Sequence, residues 1–410
     1  MYSEKFCRTG VAERILPRVK TASEPVPVSR RAQEIKPFLV MEILEEAKRL
    51  ELGGMDVVHM EVGEPDFDTP PPVVAAANEA LARGYTHYTH SLGLLELREA
   101  ISDWHRRHYG TEVDPDCVVV TSGTSPAMLL AFMAVCEPGD EVVLSDPHYA
   151  CYPQLISFAG GVPVHVPVRP ENGFVLEPSE VKSRLTSRTS AILVNSPSNP
   201  FGTVTPPETL AELVDLGVPV ISDEIYHGLV YGGEAHSILE YSKGILINGF
   251  SKLYAMTGWR LGYLIAPQRV VRAVQKMQQN FFISACHFAQ WAAITALSPE
   301  CERFVGKMLE EYDRRRRLML EHLPKLGLVV RTEPRGAFYI FADARDHCRT
   351  RNLDSCGLAF DILRSVGVAV TPGSDFGPAG EGFLRFSYAT GYDRLEEGLR
   401  RLAAYFSRAL

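Results

Sequence analysis

The chain has no CxxC pair, no apolar run long enough to cross a bilayer, no surplus of positive charge and no internal repeat or low-complexity tract. Each absence removes a class of function. The eight cysteines, at 7, 117, 136, 151, 286, 301, 348 and 356, are scattered, several of them inside apolar segments as buried free thiols are. That distribution argues against a disulfide framework and for a reducing cytoplasm. The longest apolar run, residues 127–136, is about half of what a membrane-spanning helix needs. With 42 Lys and Arg against 50 Asp and Glu, the net charge is −8. No bulk electrostatic drive toward nucleic acid or an anionic membrane exists. The first thirty residues mix charges and carry Pro25 and Pro27 without an apolar segment, unlike a secretory signal; Glu4, Glu13 and Glu24 also weigh against a targeting peptide.

What is present is an ordinary globular composition, 46% apolar and 22% charged, over 410 residues, enough for a large domain plus a smaller one. Residues 1–31 are expected to form a loosely ordered arm. An amphipathic helix is expected over 37–51, where Phe38, Met41, Leu44, Ala47 and Leu50 recur at helical spacing. From residue 117 apolar strand-like runs alternate with helical segments, the pattern of an open α/β sheet with right-handed crossovers. Strands are expected over 117–120, 141–144, 162–168, 191–194, 218–222, 245–247 and 261–265, and one long helix over 269–297. The last third is expected to form a smaller α+β domain completed by the N-terminal helix. The expected division is an arm at 1–31, small-domain segments at 32–65 and 301–410, and a large domain at 66–300.

On such sheets ligands sit at strand carboxyl ends, and most of the polar motifs follow strands. The stretch 248–263, NGFSKLYAMTGWRLGY, places Ser251 and Lys252 after an apolar run, with Arg260 eight residues beyond the lysine. A lysine desolvated there has a lowered pKa and becomes a nucleophilic amine, and Ser251 with Arg260 suits a phosphate; taken alone, a surface lysine on a loop is the other reading. The turn Thr121-Ser122-Gly123-Thr124 offers N–H groups, hydroxyls and a helix dipole to an anion, or simply caps the helix. Tyr149 offers a ring for a heteroaromatic ligand, or packs at the core rim. In Ser196-Pro-Ser-Asn199-Pro-Phe-Gly202 two prolines stiffen a loop around Asn199, which can donate to a phenolic oxygen, though a plain turn has the same pattern. Asp223 closes an apolar strand and needs a cationic partner such as a pyridinium N–H, with Tyr226 three residues on. Metal binding by Asp223 and Glu224 is the rival, and few histidines or cysteines sit at ligand spacing to support it. Arg385 interrupts another apolar strand and needs either a ligand carboxylate or an internal salt bridge. The loop 61–70, EVGEPDFDTP, can bring backbone near a ligand at Gly63.

Taken together and in this order, KPFLVMEILEEAK, EVGEPDFDTP, YTHYTHSLGLLELREAI, VISDEIY, GFSKLYAMTGWRLGY, GAFYIF and FLRFSYA resemble the class I/II aminotransferases, pyridoxal 5′-phosphate enzymes of fold type I, and most of all their bacterial branch that includes aspartate aminotransferases. The likeness runs from about Lys36 to the C-terminus. It implies that Lys252 carries the cofactor as an aldimine and that Asp223 keeps the pyridine nitrogen protonated. It implies Asn199 and Tyr226 at the ring oxygen, Tyr149 stacked on the ring, and Ser122, Gly123, Thr124, Ser251 and Arg260 at the phosphate. Arg385, with Gly63 and Asn199, would bind the substrate, an amino acid or a 2-oxo acid. Tyr88 would reach the phosphate of a second subunit, which implies a homodimer with shared sites, without nucleic acid, membrane or metal. Three departures from the family pattern stand out: Ser196 and Phe201 in the asparagine loop, Gly249 where some branches carry serine, and the lack of a basic residue near Ser125 for a distal carboxylate. Because some family members use other arginines for that carboxylate, an aspartate/2-oxoglutarate-like pair stays among the expectations. Two other readings compete: a pyridoxal-phosphate β-lyase of the C–S type on the same fold, and a ligand-sensing regulator, for whose DNA-binding domain the residues before Arg31 are too few.

Overall fold

A computed structural model describes residues 26–241 and 244–407. Most of the expected N-terminal arm therefore lies outside the described residues. The chain divides into two compact units, 1–36 and 37–410. In the first, Ser29 Oγ accepts from the Ala32 N–H and starts a short helix, Arg30–Glu34.

In the second unit thirteen strands lie among the described residues: β1 Val58–His59, β2 Val118–Thr121, β3 Glu141–Asp146, β4 Val162–Pro167, β5 Thr189–Asn195, β6 Val220–Asp223, β7 Ile245–Gly249, β8 Gly262–Ile265, β9 Val329–Val330, β10 Tyr339–Asp343, β11 Val368–Ala369, β12 Thr371–Pro372 and β13 Phe383–Ser387. Seven of them form one sheet in the order β2-β8-β7-β6-β5-β3-β4. Only β8 runs against its neighbours. Strands β2, β6, β7 and β8 are buried at every residue, as sheets covered on both faces require. The register sets Asn195 beside Asp223 and Asp223 beside Ile247, so β5 and β6 finish level at their carboxyl ends and β7 runs on past them to Gly249. The helix Thr124–Val135 leaves the end of β2 and buries Ala127, Leu130, Ala131 and Phe132 against this sheet.

A second, antiparallel sheet has the order β12-β13-β10-β9 and puts Arg385 between Thr371 and Phe341. Near it β1 pairs in parallel with β11, joining a segment early in the chain to one near its end. The helix Leu39–Leu52 buries Val40, Ile43 and Ala47, and its first turn is fastened from a distance: Asp375 Oδ1 and Oδ2 accept the N–H groups of Leu39 and Val40 at 3.0 and 3.3 Å.

The structure departs from the sequence expectation at 269–297. In place of one helix there are two, Gln268–Phe281 and His287–Ala296. Between them Ile283 adopts φ 65°. The N–H groups of Phe282 and Ile283 both donate to Gln278 O, while Gln278 Nε2 donates to Ser91 O and Val120 O. The buried glutamine ties the helix end to a neighbouring loop, and that tertiary contact overrides a helical pattern.

Candidate active site

The carboxyl ends of β5 and β6 open into a cavity of about 310 Å³ lined by residues from both sheets. Lys252 follows β7 and donates from Nζ to Gly63 O at 2.6 Å. Its side chain is open to the cavity, but its nitrogen is desolvated, and burial pulls its pKa down to about 8. Glu64 opposes that shift, and the Arg385 and Arg260 charges assist it.

Asp223 ends β6 and is buried. Its Oδ2 accepts from Tyr152 Oη at 2.7 Å and its Oδ1 from the Ile225 N–H at 3.2 Å. Burial still pushes its pKa up to about 6, against these donors and against Lys252. The neighbouring carboxylate turns elsewhere: Glu224 Oε1 accepts from the Ile238 N–H at 2.8 Å and Ser237 Oγ at 3.3 Å. The two adjacent acids of the metal reading thus serve separate sites.

Asn195, level with Asp223, donates to the Asp223 carbonyl at 3.0 Å and accepts the Asn199 N–H at 2.9 Å, which seats the asparagine loop. Asn199 Oδ1 accepts from Arg385 Nη1 at 3.0 Å. Arg385 is 2% exposed. Its Nη2 donates to Thr371 Oγ1 at 3.1 Å and to the Glu61 carbonyl, its Nε has no partner, and Tyr339 and Phe376 flank its plane at 4.4 and 4.9 Å. Among the described residues no carboxylate pairs with it, so the internal salt bridge is absent there. A buried guanidinium held only by neutral acceptors is short of an anion.

Tyr226 and Tyr339 share a hydrogen bond at 2.8 Å. Tyr149 lines the cavity and meets Tyr152 edge-on, with centroids 5.3 Å apart. Thr124, Ser251 and Arg260 line another part of it. Gly123, at φ 103°, lies so close to Arg260 that an added Cβ would come within 2.6 Å of Nη2. Only glycine lets the turn and the guanidinium converge. Ser122 belongs to this turn but not to the cavity lining. Tyr88 is 79% exposed and lies outside the cavity.

All but Ser122, Gly123 and Tyr88 of the expected site residues therefore line one cavity. The sequence reading missed Tyr152, Asn195, Tyr339 and Glu64. Tyr152 and Tyr339 sit in apolar runs where a tyrosine resembles core, and only the fold reveals what their hydroxyls meet.

The sequence profile of the aminotransferase class I and II family matches residues 55–402. The chain is 42% identical over 386 residues to a (5-formylfuran-3-yl)methyl phosphate transaminase of Methanocaldococcus jannaschii, covering 93% of this chain and 100% of the relative. It is 42% identical over 394 residues to an aspartate/prephenate aminotransferase of Thermus thermophilus, covering 93% and 99%. The solved structure of the Thermus thermophilus aspartate aminotransferase with maleate superposes with a TM-score of 0.88 at 40% identity, covering 93% of this chain and 100% of that one. The chain belongs to the aminotransferase class I and II family. It is an aminotransferase of fold type I, and its cofactor is pyridoxal 5′-phosphate. Relatives named as transaminases and aminotransferases do not favour the lyase reading. The residues present fit that cofactor: the Gly123 turn beside Arg260 is a cradle that a Cβ would fill, and Asp223 is a buried acid in the cavity lining, suited to a cationic ring N–H.

Proposed function

We propose that the cavity moves an amino group between an L-amino acid and a 2-oxo acid, with Lys252 holding pyridoxal 5′-phosphate. When bound, the cofactor supplies an aldehyde that takes up the amino group and a protonated ring that draws electrons from the substrate Cα. Asp223 holds the ring-nitrogen proton, with its own oxygens oriented by Tyr152 and the Ile225 N–H. Tyr226 and Asn199 hold the ring oxygen and Tyr149 covers the ring. The Ser122–Thr124 turn, Ser251 and Arg260 bind the phosphate at the start of the helix Thr124–Val135. Arg385 takes the substrate α-carboxylate, with Asn199 and the Gly63 backbone beside it. Lys252, partly neutral near pH 8 because it is buried, takes and returns the α-proton.

One observation carries this reading: a desolvated lysine, a buried acid and a buried arginine without an anion line the same cavity. Lys252 and Asp223 belong to the large domain that we place at 66–300, and Arg385 to the small domain formed by 32–65 and 301–410. The active species is proposed to be a cytoplasmic homodimer in which Tyr88 reaches the second subunit's phosphate site. Supporting this, Tyr88 is exposed beside Ile283, 45% exposed, and Phe281, 55% exposed; the Thr89 N–H bond to Ser284 Oγ at 3.2 Å joins the two segments. Among the described residues no helix is long and apolar enough to cross a membrane.

The test is an absorption spectrum of the purified protein with amino acids added. A cofactor band above 330 nm, about the region of conjugated pyridoxal chromophores, should change on adding a donor. Lys252→Ala should lose turnover by at least about a thousandfold. Absence of any cofactor band after adding pyridoxal phosphate rejects the reading.

A further inference from the structure

We infer that the cavity selects amino donors with an uncharged, apolar side chain over donors with a second carboxylate; the inference rests on the aminotransferase reading above. Two independent features lead to it.

The first is the inventory of charge. Among the described residues, the cations lining the cavity are Lys252, Arg260 and Arg385. In the proposed reaction they are committed to the amino group, the phosphate and the α-carboxylate. The remaining charged groups lining it, Glu64 and Asp223, are acidic. Glu64 follows Gly63, whose carbonyl accepts from Lys252, and accepts a hydrogen bond from Thr257. Ser125, beside the phosphate turn, offers only a hydroxyl. A second carboxylate brought into this space loses hydration without gaining a counter-charge from the described residues of this chain.

The second feature is a wall. Phe38, Val40 and Met41 enter the cavity from the start of the helix Leu39–Leu52. Phe38 meets the Tyr149 ring edge-on with centroids 6.0 Å apart. Asp375 fixes the turn that carries the wall, taking the Leu39 and Val40 N–H groups. The apolar surface is therefore set before a substrate arrives. A donor side chain that covers it removes apolar area from water on both partners. In pockets of this kind one apolar group discriminates by roughly 10–200-fold.

The experiment uses the holoenzyme without an acceptor, following the cofactor band after mixing with L-phenylalanine, L-leucine, L-alanine, L-aspartate or L-glutamate. The second-order rate constants for phenylalanine and leucine should exceed that for aspartate at least roughly tenfold. Independently of turnover, calorimetric titration should find 3-phenylpropanoate bound at least about tenfold tighter than succinate. Met41→Arg, at a position 46% exposed and so tolerant of a long polar side chain, should raise the aspartate-to-phenylalanine ratio about tenfold. Phe38→Ala should lower the phenylalanine-to-alanine ratio, a quantity independent of the fraction of folded enzyme. Faster reaction with aspartate, together with tighter succinate, overturns the inference and leaves amino-group transfer standing. Silence of the band toward every donor overturns both.

Discussion

At the scale of single residues the site is governed by burial. Asp223 has its pKa raised to about 6, against an unfolded value of 3.8. In the cofactor-free protein the native state therefore keeps, between about pH 4 and 6, a proton that the unfolded chain releases. Stability contributed by this group is fully present below the unfolded pKa and falls as pH rises through the folded pKa, by about 3 kcal/mol in all. Asp223→Asn has no such titration. Cofactor-free Asp223→Asn should gain on the wild type by about that amount between pH 4 and pH 7 in urea melts, and a difference that is flat with pH would refute the buried acid. Tyr152→Phe removes a donor from Asp223 without opening a cavity. Transfer should slow by about ten- to a hundredfold, the worth of a hydrogen bond to a charged group, and the acid limb of the pH–rate profile should move upward. That second readout separates loss of positioning from loss of folding. The contrast between Asp223 and Tyr152 also explains what was legible in the sequence. Asp223, Lys252 and Arg385 are charges set in apolar runs, and such a charge needs a partner wherever the chain folds. Tyr152, Tyr339 and Asn195 are at home in a core or a turn. Their hydroxyls and amide matter because of what β5, β6 and β10 bring beside them, which no local pattern encodes.

At the scale of elements the same division holds. Alternating apolar runs made the seven-stranded sheet readable, because strands buried on both faces leave continuous apolar segments. The break at 282–286 was not readable, since it depends on Gln278 reaching Ser91 and Val120. Nor was the fastening of the helix Leu39–Leu52, because Asp375 lies 336 residues from Leu39 in the chain. That contact makes a prediction proper to this scale. Two N–H groups at a helix start have a carboxylate as their acceptor, so Asp375→Ala should cost about 1–2 kcal/mol locally, the usual worth of a lost cap. The loss should appear as faster hydrogen exchange in the first turn of the helix Leu39–Leu52, with helix Thr124–Val135 unaffected. Unchanged exchange at Leu39 and Val40 would mean that Asp375 does not hold the turn.

At the scale of the whole molecule, the cavity gathers side chains from two sheets, whereas the exposed Tyr88 is not among the residues that line it. If the proposed homodimer shares its sites, a lesion at Tyr88 and a lesion at Lys252 fall on different subunits of any one site. Lys252→Ala lacks the amine in every site, and Tyr88→Ala weakens phosphate binding in every site. In a hybrid of the two, one site receives both lesions and the other neither, so mixing and refolding the two variants should restore activity and one tight cofactor site per dimer. Sedimentation should report a dimer, since an interface able to hold such a pair buries at least about 1,000 Å². Loading the dimer with cofactor should raise its stability by mass action, and Tyr88→Ala should reduce that gain while leaving the cofactor-free protein unchanged. Hybrids no more active than their parents, or a monomer in sedimentation, would place each site within a single chain and leave Tyr88 without a role in it.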